Sequence, residues 1–198
     1  ALAAETASDK PPGRPEAALH VPSPDWRDQI IYFLMTDRFD NGDPANDDQH
    51  AGEFDPADGA KYNGGDLRGV ERRLDYIRGL GATAIWMTPP VASQWWNTVA
   101  NYGGYHGYWA RDFMAVDAHL GDLADYQRLS KAVHGAGMYL VQDIVLNHTG
   151  SYFDYDGPWR ADDPLANFKL VPDSLGQTAP SQWPFSMNDA RVPEHRAA

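Results

Sequence analysis

The sequence predicts an α/β fold with parallel strands. Three runs carry that expectation: Ile30–Met35, Ala82–Met87 and Met138–Leu146 are each short, almost wholly apolar and of strand length. Between them the apolar residues recur at spacings of three and four, the pattern of an amphipathic helix. A near-continuous apolar run marks a strand covered on both faces, and a helix between two such strands is the crossover that parallel pairing requires.

Residues 1–24 are proline-rich and lack apolar periodicity, so they read as an extended leader without a core of its own. The opening Ala1-Leu2-Ala3-Ala4-Glu5 has the small-x-small spacing left around a signal-peptidase cut, which points to export; a cloning scar leaves similar letters. The first strand, Ile30–Met35, leads into a polar stretch from Asp37 to Gly65. Leu67, Val70, Leu74, Ile77 and Leu80 then mark the first helix, which Gly81 ends. The second strand, Ala82–Met87, is stopped by Pro89-Pro90, because proline has no N–H to give to a ladder. A loop rich in aromatic residues and glycine fills 91–117. Asp122 caps a second helix carrying Leu123, Tyr126, Leu129 and Val133, closed by Gly135 and Gly137. The third strand follows, giving the order β-α-β-α-β with right-handed crossovers.

After His148 no helix or strand periodicity is legible. A (β/α)8 barrel takes about 250 residues and eight strands, against three strands here. Periodicity alone therefore leaves two architectures: a small open sheet, or the front part of something longer. Both keep their ligand sites at the C-terminal ends of the strands.

Composition narrows the function. The 16 Lys and Arg against 28 Asp and Glu give a net charge of −12, which opposes nucleic-acid binding through phosphate neutralisation. No cysteine is present, so disulfides, thiolate metal clusters and cysteine nucleophiles are excluded. No apolar run approaches the ~20 residues of a membrane span.

Four constellations carry chemistry. Residues 37–58 hold eight carboxylates against one arginine, and Asn41, Asp43, Asn46 and Asp47 place oxygen donors around a turn. Hard cations take six to eight oxygens, so this loop suits calcium; a solvated acidic turn uses the same residue types. Gly64-Gly65-Asp66 reads either as an entry turn with an N-cap or as the completion of that cation site. Trp95, Trp96, Tyr102, Tyr105, His106, Tyr108 and Trp109 lie within fifteen positions broken by glycines. Such rings suit a sugar, with its apolar faces and hydrogen-bonding rim, and they equally suit packing of a long loop. Finally, Asp143, Val145 and Asn147 share one face at the end of the third strand, with His148 beside them, as a site or as a turn.

Together these residues resemble the alpha-amylase family of glycoside hydrolases and transglycosidases. Asp143-Ile144-Val145-Leu146-Asn147-His148 is similar to that family's Asp-x-x-x-Asn-His signature, and Tyr105-His106-Gly107-Tyr108-Trp109-Ala110-Arg111-Asp112-Phe113 resembles its segment between strand two and helix two, closest to the cyclodextrin-glycosyltransferase and maltogenic branch. The resemblance runs from about Asp25 to His148. It implies an N-terminal part of the (β/α)8 barrel over 25–148, comprising its first three β/α units, followed over 149–198 by the start of the domain inserted after strand three. It further implies an α-glucan substrate contacted by Tyr108, with Trp109 beside it, and by hydroxyl-binding His106 and His148. Calcium would take an oxygen from Asn147, and a second calcium would be held by Asn41, Asp43, Asn46, Asp47, Gly64 and Asp66. In that second set Asp and Asn are exchanged at positions 41 and 43 relative to the branch, and both side chains supply oxygen. Asp143 would support the strand end.

The family's retaining chemistry needs a carboxylate nucleophile and a carboxylic acid about 5–5.5 Å apart. The resemblance puts these on strands four and five, beyond the strands legible here, so the chain alone is expected to be inactive and the remainder of the barrel to come from a longer chain. Arg160-Ala161-Asp162 copies the letters around the nucleophile but follows Trp159 rather than an apolar strand. The expected location is secreted or periplasmic, with no nucleic-acid or membrane partner. A stand-alone, non-catalytic carbohydrate-binding protein is the alternative from another class, and a small open α/β protein of unrelated function is the third.

Overall fold

The structure, a computed structural model, describes residues 22–163 and 166–179. The expected leader falls almost wholly outside these residues, as does the end of the expected inserted domain. Along the chain run β1 (Ile31–Leu34), α1 (Leu67–Arg72), α2 (Leu74–Gly79), β2 (Ala84–Met87), β3 (Val91–Ser93), β4 (Trp96–Asn97), β5 (Tyr102–Gly103), β6 (Ala110–Val116), α3 (Leu123–Gly135), β7 (Tyr139–Gln142), β8 (Phe153–Tyr155) and β9 (Phe168–Leu170). A 3-10 turn at Thr36–Arg38 follows β1 directly.

The three apolar runs form a parallel sheet in the order β1-β2-β7, with Leu34, Met87 and Gln142 in register. Successive side chains alternate between its faces. Leu34, Ile85 and Met87 point to one face and are buried there with Leu67, Val70, Leu74 and Ile77 of α1 and α2 and with Leu129 and Val133 of α3. On the other face Ile31, Phe33 and Trp86 are 46%, 49% and 40% exposed. Coverage of the strands on both faces is thus not found among the described residues. All three helices lie on one side of the sheet, and Phe33 and Trp86 on the other meet only edge to face at 5.1 Å.

The expected first helix is two short helices. Arg73 leaves helical geometry at φ −100° and ψ 12°, while Arg72 and Arg73 both reach Asp40, at 2.6 and 3.1 Å. Consecutive residues of a regular helix point about 100° apart, so converging on one carboxylate favours a break between them. Leu67, Val70, Leu74 and Ile77 keep their apolar face across the break, whereas Leu80 is exposed. α3 begins with Asp122 and Asp125 exchanging hydrogen bonds in a capping box.

Three further expectations are corrected. The third strand stops at Gln142 rather than Leu146, because β2 leaves the ladder at Thr88-Pro89-Pro90 and those prolines have no N–H to offer β7. The segment 91–117 is not merely loop: β3 pairs antiparallel with β6, and β4 with β5. Beyond His148, β8 and β9 pair antiparallel, and Tyr152, Ala179, Phe113 and Leu170 form a second small core. β3, β4, β5, β8 and β9, of two or three residues each, are too short to print a period of two, and the seven residues of β6 do not alternate cleanly between buried and exposed. Among the described residues no helix is long and apolar enough to cross a membrane.

Candidate functional site

The candidate site lies where the chain leaves the C-terminal ends of β1, β2 and β7. After β1 the chain turns at once, burying Asp37, whose carboxylate accepts from the backbone N–H of Asn63 at 3.0 Å and of Gly64 at 3.3 Å. Burial pushes Asp37 up to about 6, against the pull of those N–H groups and of Arg38. Asp66 caps α1 by accepting from Gly69 N at 2.6 Å, and the same carboxylate accepts from Gly42 N and Asp43 N at 3.1 and 2.7 Å. One aspartate therefore ties both ends of the acidic loop together.

Within that loop the Asn41 amide donates to Asp47 at 2.7 Å, and Asp43 is paired with Arg68, which also reaches Asp125. Asn41 Oδ1 and Asn46 Oδ1 are buried without a hydrogen-bond partner. Gly64 has φ +89°, and a Cβ there would lie 2.7 Å from Asn41 Nδ2 and 2.8 Å from Asp47 Oδ1, so only glycine admits this close approach. Two orphaned oxygens beside a buried carboxylate are a donor set that fits a hard cation. Among the described residues no group of three or more His, Cys, Asp or Glu side chains is gathered as for a metal; the fit rests on amide oxygens.

After β2 the chain passes Pro89-Pro90 and returns as the aromatic segment. Gly107, at φ +80°, sits against the Pro89 carbonyl, where a Cβ would approach to 2.2 Å. This contact seats His106 and Tyr108 over the strand ends. The His106 Nδ1 accepts the Tyr108 backbone N–H at 3.0 Å, which leaves the proton of the neutral ring on Nε2. Burial lowers His106 to about 4, so the ring is neutral near pH 7. It lies nearly parallel to Tyr108 at 5.5 Å and edge-on to Trp109 at 4.7 Å. The Tyr108 hydroxyl donates to Asp143 Oδ2 at 3.1 Å, joining the aromatic segment to the tip of β7.

His106, Tyr108, Trp109 and Asp143 are thus brought together. Asn41, Asp43, Asn46, Asp47, Gly64 and Asp66 form a second group around the acidic loop. Asn147 and His148 join neither: both are exposed and lie against each other at 3.3 Å, past the point where β7 has lost its ladder. Arg160 and Asp162 form an exposed ion pair at 2.5 Å, away from any strand of the parallel sheet.

Sequence reasoning missed a buried cluster. His119 is fully buried, with Nδ1 2.8 Å from Asp117 Oδ1 and Nε2 3.0 Å from Glu53 Oε1. Burial alone depresses a histidine, but the hydrogen bonds to Asp117 and Glu53 outweigh it and raise His119 to about 9. Burial likewise raises Glu53, and the hydrogen bond from His119 prevails to hold it at about 2. The only signal in the sequence was Asp117-Ala118-His119 between the apolar Val116 and Leu120, which gives no hint of Glu53.

Residues 33–189 match the family described as alpha amylase, catalytic domain. A beta/alpha-amylase of Paenibacillus polymyxa is 44% identical over 128 residues, covering 65% of this chain and 10% of the relative. The periplasmic alpha-amylase of Escherichia coli is 38% identical over 133 residues, covering 64% of this chain and 20% of the relative. Among solved structures, the cyclomaltodextrin glucanotransferase CldA, described as having a three-domain ABC distribution, superposes with a TM-score of 0.58 at 41% identity over 62% of this chain and 26% of that one. The chain therefore spans between a tenth and about a quarter of the proteins to which it is similar.

Proposed function

The chain belongs to the alpha-amylase family of α/β-barrel enzymes, and from that premise we propose that residues 25–148 form the first three β/α units of such a barrel. Residues 149–198 are then the start of the domain inserted after strand three. The function served is hydrolysis or transfer of α-glucosidic bonds in starch-like glucans by a retaining mechanism, in an exported protein.

The observation that carries this reading is the 3.1 Å hydrogen bond from Tyr108 to Asp143, which fixes a half-buried ring beside a neutral histidine at one strand tip. A sugar presents apolar C–H faces and a hydroxyl rim. Tyr108 offers its ring to such a face, and its own hydroxyl, held by Asp143, sets the ring's angle. His106 Nε2–H is a donor to a sugar hydroxyl, and it stays one over the whole range above about pH 4. Trp109 stands edge-on beside His106. His148, exposed and next to Asn147, reaches a hydroxyl once glucan and the rest of the barrel order it.

Calcium would be held by Asn41, Asn46 and Asp47 with Asp43, Gly64 and Asp66, and by Asn147 at a separate place. Bound there, it supplies a divalent charge that crosslinks the loop. Retaining chemistry needs two carboxyl groups about 5–5.5 Å apart across the bond. Asp143 is already engaged by Tyr108 and Asp162 by Arg160. In this reading the nucleophile and acid/base belong to strands four and five of the barrel, beyond the three strands of the parallel sheet.

Titration calorimetry of the chain with maltoheptaose tests the reading. Binding is expected, and Tyr108→Ala should abolish it while the chain stays folded. No binding by the unaltered chain overturns the reading. Turnover of soluble starch that Asp162→Asn abolishes would make Asp162 the nucleophile and overturn the assignment of the catalytic groups.

A further inference from the structure

Among the described residues, a group of buried ionisable side chains that the proposed mechanism does not use gathers around His119, and three separate segments converge on it. Glu53 comes from the acidic loop, and its Oε1 and Oε2 also accept the backbone N–H groups of Gln49 and Ala51, at 2.7 and 2.8 Å. Asp117 comes from the end of β6, and its Oδ2 accepts the Ser93 N–H at 2.8 Å, at the entry to the aromatic segment. Tyr62 covers one face of the imidazole at 3.7 Å and 17°, and Trp95 meets its edge at 5.1 Å.

Neither ring has a polar side-chain anchor. Tyr62 Oη and Trp95 Nε1 are buried without hydrogen-bond partners, so packing on His119 rather than a polar contact decides where they sit. From Tyr62 the contact continues to Tyr105, edge-on at 6.1 Å, and from Tyr105 to His106, edge-on at 5.7 Å. Tyr105 is pinned in turn by the Arg38 guanidinium 3.6 Å above its ring and by the Gly59 carbonyl at 3.2 Å.

We propose that His119 is a positioning residue of the candidate glucan site: gripped by Glu53 and Asp117, it locks the aromatic segment onto the acidic loop and thereby sets the rings of His106 and Tyr108. The site role of those two rings is the reading argued above. The clamp itself is a property of this chain that can be measured without any glucan. Two carboxylates facing one buried imidazole hold its charge in place, with Asp37 and Arg38 on the turn after β1 and Asp47 in the acidic loop the other charged groups nearby. A neutral side chain at 119 leaves both carboxylates buried without their counter-charge, and the two loops then separate.

The test reads His106 from a distance. In the full chain with 15N-labelled histidine, the His106 ring should titrate near pH 4. His119→Gln and Glu53→Gln should each raise that midpoint by one unit or more towards the ~6.5 of a solvated ring, as the Tyr108 N–H is released and water enters. Val133→Ala, in the helix-side core, weakens the fold without touching the clamp and should leave the midpoint unchanged. An unchanged midpoint in a folded His119→Gln or Glu53→Gln chain overturns the proposal, and so does an equal shift in Val133→Ala.

Should neither clamp variant fold, the unaltered chain decides. Taken through about pH 9, where His119 loses its proton, His106 must show a growing Nδ1–H tautomer, and a constant one overturns the claim. Failure to bind maltoheptaose with His106 responding as described fails the glucan reading alone.

Discussion

The helix-covered face of the sheet and the polar layer above its strand tips are held by different physics. On the covered face Leu34, Ile85, Met87 and the apolar stripe of the helices exclude water, and no single partner is required. Above the tips, Asp37, Glu53, Asp66, Asp117 and His119 are just as buried, but each survives there because particular N–H groups or counter-charges meet it. The first region tolerates exchange of one apolar residue for another of similar volume. The second depends on pairs such as Glu53 and His119, which stand 66 positions apart.

The largest expected effect separates the two faces of one strand. Ile85→Ala on the covered face should cost about 2–5 kcal/mol, as truncations in a packed core do. Phe33→Ser, at a side chain half exposed, should cost less than about 1 kcal/mol. Urea unfolding of the two variants measures the gap, and equal losses would erase the difference between the faces.

Next comes pH, which should act on the polar layer alone. His119 is raised in the fold, so its contribution is complete below its unfolded value of 6.5 and is lost as pH rises through about 9. The 2.5-unit difference corresponds to about 3 kcal/mol. Asp37, raised to about 6, completes its own loss below that window. Unfolding free energy should therefore fall between pH 6.5 and 9, and His119→Gln should flatten that limb while Ile85→Ala merely displaces it downward.

Calcium probes the acidic loop. At a hundredfold excess over its dissociation constant a ligand adds about 2.7 kcal/mol. The chain should melt higher in calcium than in chelator, Asp47→Ala should abolish the difference, and Ile85→Ala should retain it. Identical melting in calcium and chelator would remove the site.

Two smaller effects follow. Tyr108→Phe deletes the hydroxyl held by Asp143 and should cost about 0.5–1.5 kcal/mol while weakening maltoheptaose binding. Arg160→Ala breaks an exposed ion pair and should leave urea unfolding and maltoheptaose binding unchanged.

How far each region could be read from the sequence follows the same division. The three strands, the α3 cap at Asp122 and the buried stripe Leu67, Val70, Leu74 and Ile77 were legible, because apolar runs, caps and helical spacing are local. The break at Arg73 was not, since it answers to Asp40 more than thirty positions away. The joining of Tyr108 to Asp143 was legible only as two separate clusters of suggestive residues. His119 was invisible as a clamp, because no spacing rule links a glutamate in an acidic loop to a histidine before a later helix.

By itself, then, the sequence determined the parallel β-α-β-α-β order, which helix residues turn inward, and where chemistry-bearing side chains leave the strands. These depend on apolar runs of strand length, on the helical period of 3.6 and on caps a few residues long. Only the tertiary structure decided that helices cover one face of the sheet, that the third strand ends at Gln142, and that Glu53 and Asp117 meet on His119. Each of those outcomes depends on which distant groups come within about 3 Å, and a hydrogen bond or a buried charge pair is worth something only at that range.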